Sequence, residues 1–348
     1  MNSSTISMLK LQGGALVVLL SLTACTSNLF QNVENCIPPD SLVVVSQSGL
    51  NSTVMFNAWL GSGPDGSIII ESLGEFYLFA SPNWAIEQFE LELPIPLHDM
   101  GSPSLDMVYC DELGYLVSLV GNGLFRIPWG DHEADSILVL GSHYSNNCWW
   151  NSLTLLQDSS TVLACIDKSI YLINSRNMTV LDSLHFNTVI RTSVVDNEKS
   201  LVFLLHSTWD SISVVDVSTA DLLTIQRMLY PNVELENIGL AGDKLIGQRR
   251  GSLFVVNSST GVCTSIWSPP DGSIHRFEWM MAYPWGPYKY RVDHENDLME
   301  MIDLTDLSVR QSVPFNTFFK PLIYYTTAKE GIVYHPLSGT VYRLIPSD

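Results

Sequence analysis

Residues 152–184 read Ser152-Leu-Thr-Leu-Leu-Gln157, Asp158-Ser-Ser160, Thr161-Val-Leu-Ala-Cys-Ile166, Asp167-Lys168, Ser169-Ile-Tyr-Leu-Ile-Asn174, Ser175-Arg-Asn177-Met178 and Thr179-Val-Leu-Asp-Ser-Leu184. Four short runs dense in Val, Ile, Leu and Tyr alternate with turns of Asp, Ser, Asn and Lys, residues that supply turn geometry cheaply. The stretch predicts a four-stranded antiparallel meander with strands at 152–157, 161–166, 169–174 and 179–184. Working outward, the same unit recurs. Its most regular strand appears as Phe76–Ala80, Leu124–Pro128, Ile170–Asn174, Ile212–Asp216, Leu253–Asn257, Met299–Asp303 and Val341–Ile345. The last residues of these copies are separated by 48, 46, 42, 41, 46 and 42 positions. No stretch holds a 3.6-residue apolar period for three turns. Four strands per 40 to 50 residues is the spacing of a β-propeller blade. The expected fold is all-β, a seven-bladed β-propeller of four-stranded antiparallel blades.

The seventh copy tests that expectation. It supplies strands near 321–327, 331–336 and 340–346 and then runs out of chain, one strand short. An orphan strand, Ser41-Leu-Val-Val-Val-Ser46, precedes the first repeat. The economical solution is that residues 41–46 complete the last blade and close the ring, which also covers an edge that would invite aggregation. An open or eight-bladed arrangement is the alternative.

Residues 41–348 resemble the broad superfamily of propellers built from YVTN-type, quinoprotein-like and WD40-like repeats. The best copy is Val255-Val-Asn-Ser-Ser-Thr-Gly-Val-Cys-Thr-Ser-Ile-Trp267, which is similar to the quinoprotein-type repeat, with Asn and a Thr-Gly turn before a strand ending in Trp. Asp216-Val-Ser-Thr219 and Asp303-Leu-Thr305 match in part. The one Trp-Asp pair, Trp209-Asp210, falls in a turn and not at a strand end, unlike a true WD40 repeat. This superfamily hosts enzymes and pure scaffolds alike, so the fold does not choose the function.

One cation (Lys10), an apolar run from Ala15 to Leu22 and then Leu22-Thr-Ala-Cys25 fit an export signal, whose apolar core is too short to span a bilayer of about 30 Å. The small residues before Cys25 resemble the lipobox of bacterial lipoproteins. The resemblance implies cleavage after Ala24, a thioether from Cys25 to diacylglycerol and acylation of the new amine. With Thr26 and no Asp after the Cys, it also implies an outer-membrane destination, facing periplasm or surface, where the cell has one. The expected organisation is a lipoprotein signal at 1–24, a lipidated linker at 25–40 and the propeller at 41–348. A cleaved signal with a chance Cys is the plainer alternative, and it still exports the chain.

The 348 residues carry 36 Asp+Glu against 17 Lys+Arg, a formal charge of −19, and removing 1–24 takes away one cation and no acid. Such a field argues against phosphate-backbone binding, so no nucleic-acid partner is expected. Hydrophobic residues at 46% supply a large core and exclude wholesale disorder. Besides Cys25, Cys36, Cys110, Cys148, Cys165 and Cys263 contain no C-x-x-C. At most two disulfides form among these five, leaving one thiol, and buried free cysteines are a serious alternative.

In a propeller the loops between blades, and those joining second to third strands, share one face around the channel. The between-blade loops are expected at 92–105, 142–151, 185–191, 229–236, 268–276 and 314–320. They carry His98, His143, His185 and His275, the cations Arg191, Arg276 and Lys320, and the aromatics Trp149, Trp150, Tyr230, Phe315, Phe318 and Phe319. A partner-binding rim is therefore expected at His98, Trp149, Trp150, His185, Arg191, Tyr230, His275, Arg276, Phe318, Phe319 and Lys320. Each has a bland alternative: the tryptophans pack between blades, the cations balance local acids, and the histidines lack metal-ligand spacing. Two acidic runs, Asp131-His-Glu-Ala-Asp135 and Asp293-His-Glu-Asn-Asp297, are expected in different kinds of turn on opposite faces, as solvated turns and not Ca²⁺ loops. No G-x-S-x-G, H-E-x-x-H, P-loop or G-x-G-x-x-G occurs.

The expected function is a lipid-anchored cell-envelope scaffold that binds another envelope protein or complex, with no catalytic residue, metal or cofactor. Its layout is similar to the propeller lipoprotein of the outer-membrane protein assembly machine, which has eight blades and better quinoprotein-type repeats. The competing readings are a lactonase-type or quinoprotein-like enzyme with a metal or cofactor in the channel, and a glycan-binding module that stacks sugars on Trp149 and Trp150.

Overall fold

The computed structural model describes residues 9–10, 16–19, 41–46, 58–64, 67–72, 75–80, 85–89, 105–110, 113–131, 133–141, 151–156, 160–208, 210–219, 221–270, 272–273, 276–280, 288–314, 322–325, 331–335 and 340–345. The strands among them form seven antiparallel sheets, and each holds a four-stranded blade. Blade 1 comprises Ala58–Ser62, Ile68–Ser72, Glu75–Ala80 and Ala85–Phe89; blade 2 comprises Leu105–Cys110, Tyr115–Val120, Gly123–Pro128 and Ser136–Val139. Blade 3 is Asn151–Leu155, Thr161–Ile166, Ser169–Asn174 and Thr179–His185; blade 4 is Ile190–Asp196, Leu201–His206, Ile212–Thr219 and Leu222–Leu229. Blade 5 is Asn237–Ala241, Lys244–Arg249, Ser252–Val256 and Cys263–Trp267; blade 6 is Phe277–Met280, Tyr288–Asp293, Leu298–Asp303 and Val309–Pro314.

Blade 7 takes Leu322–Tyr325, Gly331–His335 and Thr340–Ile345 from the end of the chain and Ser41–Ser46 from its beginning. The closing pair is antiparallel, with Ser41 opposite Ile345, Val43 opposite Arg343 and Val45 opposite Val341. The first strand of blade 7 also lies beside the first strand of blade 1, so the sheets run round in a ring. One feature differs from the sequence expectation. Leu16–Leu19, inside the apolar run read as an export signal, pairs with Ser41–Ser46, and Leu9–Lys10 pairs with it in turn, so this sheet has six strands. Apolar, β-rich sequence beside an uncovered strand edge completes its main-chain hydrogen bonds in this way.

Among the described residues, the second strands of blades 2 to 4 look continuously apolar because both of their faces are buried. In Thr161–Ile166 every residue is buried. Val162, Ala164 and Ile166 pack with Val117, Leu119 and Leu124 of blade 2. Leu163 and Cys165, pointing the other way, pack with Ile190, Val202 and Leu204 of blade 4. The alternation repeats one blade on, where Phe203 and Leu205 turn to Ile238, Leu245 and Val256 of blade 5. The core is thus a series of apolar slabs between sheets, as the period of two requires. No helix among the described residues is long and apolar enough to cross a membrane.

Candidate functional site

The innermost strand of each blade is a sheet edge turned to the central axis, and its main-chain groups need partners. A blade 2 side chain meets part of that need, and two serines tie the edges of blades 3 and 4 to each other. Asp106, on the first strand of blade 2, accepts from the Leu153 backbone N–H of blade 3 at 2.7 Å and from Met107 N–H at 2.9 Å. Ser152 Oγ and Ser193 Oγ join the first strands of blades 3 and 4 at 2.7 Å. Burial pushes the Asp106 carboxyl up to about 7, against the pull of its two backbone donors. The Cys165 thiol stands by these serines and is raised by burial to about 11, so it is neutral and a poor nucleophile at neutral pH. Cys165 and Cys263 are buried free thiols, which settles the bland reading for these two. Cys25, Cys36 and Cys148 lie outside the described residues.

The expected rim divides. His98, Trp149, Trp150, His275, Phe318, Phe319 and Lys320 lie outside the described residues. His185 ends the outer strand of blade 3, exposed, with Nδ1 2.9 Å from Ser169 Oγ. Arg191 heads the innermost strand of blade 4, where the register passes from Ile190–His206 to Thr192–Leu205, leaving Arg191 as the bulged residue. Arg276 is engaged by two acids: Asp293 through Nε–H and Nη2–H at 3.0 and 2.9 Å, and Glu295 at 2.6 Å. Balancing local acids is therefore the role its geometry displays. Burial alone would raise the Asp293 carboxyl, but Arg276, the Asn296 side chain and the backbone N–H groups of Glu295 and Asn296 hold it below the usual range.

Tyr230 is 67% exposed, but it does not stand beside the axis. A Cβ on Gly261 would meet the Tyr230 backbone nitrogen at 2.8 Å, which places Tyr230 beside the turn between the two outer strands of blade 5. The two acidic runs lie in different kinds of turn, as expected, but Asp293 is buried at the end of its strand and not solvated. Asp293–Asp297 forms the second-to-third-strand turn of blade 6, while Asp131 and Asp135 belong to the third-to-fourth-strand turn of blade 2, where Asp135 pairs with Arg126 at 2.8 Å.

Several buried polar residues that the sequence reading passed over fasten neighbouring blades. Lys289, on the second strand of blade 6, has no exposed surface and donates to the Leu240 carbonyl of blade 5 at 2.5 Å; desolvation lowers its ammonium to about 7. Arg291, two residues on and of the same parity, lies 4.5 Å from the ring centres of Trp267 and Phe277 and pairs with Glu300 at 2.5 Å. Trp279 Nε1–H reaches the Gly251 carbonyl at 2.7 Å. His206 bridges Thr188 Oγ1 at 2.9 Å and Ser213 Oγ at 2.7 Å, and burial depresses its pKa. The signal for Lys289 and Arg291 was in the sequence: Tyr288-Lys-Tyr-Arg-Val292 puts two cations on one face of an otherwise buried strand.

Solved structures share this architecture. BamB from Moraxella catarrhalis aligns over 98% of this chain and 98% of its own at 11% identity and TM-score 0.55. The WD40 domain of Pan2 from Neurospora crassa aligns over 85% and 90% at 10% identity and TM-score 0.56. PorZ from Porphyromonas gingivalis, a bacterial surface component of the type-IX secretion system, aligns over 84% of this chain at 9% identity and TM-score 0.54. This chain spans only 37% of PorZ. At such identities the likeness is one of fold: an all-β propeller. No protein-family model matches the sequence, and no curated protein resembles it closely enough to count as a relative.

Proposed function

We propose that the chain is a lipid-anchored cell-envelope propeller that binds another envelope protein and performs no chemistry of its own. The observation that carries this reading is where the polar side chains go. Asp106, Ser152, Ser193, Lys289, Arg291 and Trp279 bind between blades, and Arg276 is held by its neighbours. Such groups stiffen a disc, and a stiff disc with a large perimeter suits a docking platform. The lipobox-like Leu22-Thr-Ala-Cys25 supports a tether at Cys25. The fold shared with PorZ, a surface component of a secretion system, is consistent with an envelope setting.

Affinity capture of the full-length chain from cross-linked envelopes tests the reading. A partner recovered in stoichiometric amount is the expected result; an uncomplexed monomer under several conditions overturns it. Labelled fatty acid incorporated by the wild-type chain but not by Cys25→Ser tests the anchor independently.

A further inference from the structure

We propose that the outer strand of blade 4, Leu222–Leu229, is a strand-accepting edge that takes an extended segment of a partner protein bearing alternate apolar and basic side chains. The inference deepens the scaffold reading and rests on it. Of the large apolar side chains exposed among the described residues, five gather on this flank: Leu222 (51%), Ile225 (44%), Met228 (38%), Tyr230 and Val262 (50%). The pairing of the strand skips Gln226, so Ile225 and Met228, opposite Val215 and Ser213, share one face.

Outer strands are normally defended against pairing by charge, proline or brevity. Leu222–Leu229 has eight residues, no proline and one charged side chain, Arg227, whose Nε–H is drawn away to the Ser258 carbonyl of blade 5 at 3.0 Å. At one end of the strand, Asp182 of blade 3 already accepts from the Leu223 N–H at 2.8 Å. The Gly261 turn of blade 5 borders the other. What lies between is a short edge with apolar side chains standing beside it.

Charge states the sign of the partner. Asp182, Asp216 and Asp221 surround the strand in a chain of formal charge −19, so basic side chains complement it and acidic ones are repelled. Position adds to this. In a ring of seven, blades 3 and 4 together stand across from blade 7, into which the N-terminal strand Ser41–Ser46 is built. A tether entering there leaves the blade 4 flank facing away from the anchoring surface. Main-chain hydrogen bonds would supply the affinity, and side chains at every second position the selectivity.

The test uses the full-length chain and labelled peptides of alternating Val and Lys, alternating Val and Glu, and the Val/Lys sequence with prolines inserted. The Val/Lys peptide is expected to bind and to slow amide exchange within Leu222–Leu229. Affinity should fall at least ten-fold in Ile225→Lys, and the Glu and Pro peptides should not bind. Because Met228 Sδ accepts from the buried Ser213 Oγ at 2.9 Å, Ile225→Lys alone serves as the variant whose thermal transition should hold, and exchange mapping on the wild-type chain needs no variant. Protection confined to other segments, or equal binding of the Val/Glu peptide, overturns the proposal. In envelopes, a photo-crosslinking residue at position 225 should trap the same protein that affinity capture recovers. Trapping of that protein only from positions 185 or 276 overturns the edge assignment and leaves the scaffold reading standing, whereas no partner from any position removes both.

Discussion

Asp106 shows how one side chain answers the demands of a channel wall. A free strand edge needs acceptors, a carboxylate supplies them, and burial then penalises its charge. Because the folded carboxyl is raised to about 7 from 3.8, the folded state holds a proton that the unfolded chain releases. Stability is therefore full below about pH 4 and is lost as pH rises towards 7. Asp106→Asn keeps an acceptor and has no charge to desolvate. Denaturant unfolding should give equal stability for variant and wild type near pH 4.5, with the variant gaining about 2 kcal/mol by pH 8. Lys289 has the opposite slope: its ammonium is lowered to about 7 from 10.5, so its cost is present at neutral pH and disappears as pH approaches 10. Lys289→Met should unfold at about 1–2 kcal/mol greater stability at pH 7 and match the wild type near pH 10. Sequence reading reached neither residue, because it ranked titratable groups by loop position. The fold needed polar groups inside, on strand edges and between sheets.

At the scale of the strand, sequence was a good guide. The third copy was predicted at 152–157, 161–166, 169–174 and 179–184, and the strands run Asn151–Leu155, Thr161–Ile166, Ser169–Asn174 and Thr179–His185. Turn chemistry and apolar runs set these boundaries locally, so nothing distant was required. The rim was less legible, since a loop's residue numbers do not say whether its side chains face the axis or the perimeter. Tyr230 is the instance. Its loop put it on the expected rim, and in the structure its backbone lies against Gly261, in the outer turn of the next blade. Gly261 adopts φ +80° and leaves no room for a Cβ against the Tyr230 backbone. Gly261→Ala should cost about 2–4 kcal/mol, more than left-handed strain alone, as read by thermal or denaturant unfolding. A loss under 1 kcal/mol would mean that the two blades separate easily there.

For the molecule as a whole, the decisive inference was an accounting one: seven copies of a unit, the last lacking a strand, and one strand left over. The pairing of Ser41–Ser46 with Thr340–Ile345 resolves it. Val45→Cys/Val341→Cys places thiols on directly opposed residues. Under oxidising conditions this pair should form an intramolecular disulfide and raise the melting temperature, reversibly with reductant. A loop this long has a chain-entropy effect of about 5–6 kcal/mol at most. Failure to cross-link would separate the ends and open the ring.

That closing pair joins positions about 300 residues apart, so it has the longest loop to pay for in entropy and forms after the local meanders. Until the C-terminal strand arrives, blade 7 is an incomplete sheet with raw edges. If the chain is exported leading end first, as the proposed envelope role requires, Ser41–Ser46 must wait for nearly the whole chain to follow it. For most of that passage a Val-rich strand is unmated, and a chaperone, or the leader strand Leu16–Leu19 lying on it, would keep it from the wrong company.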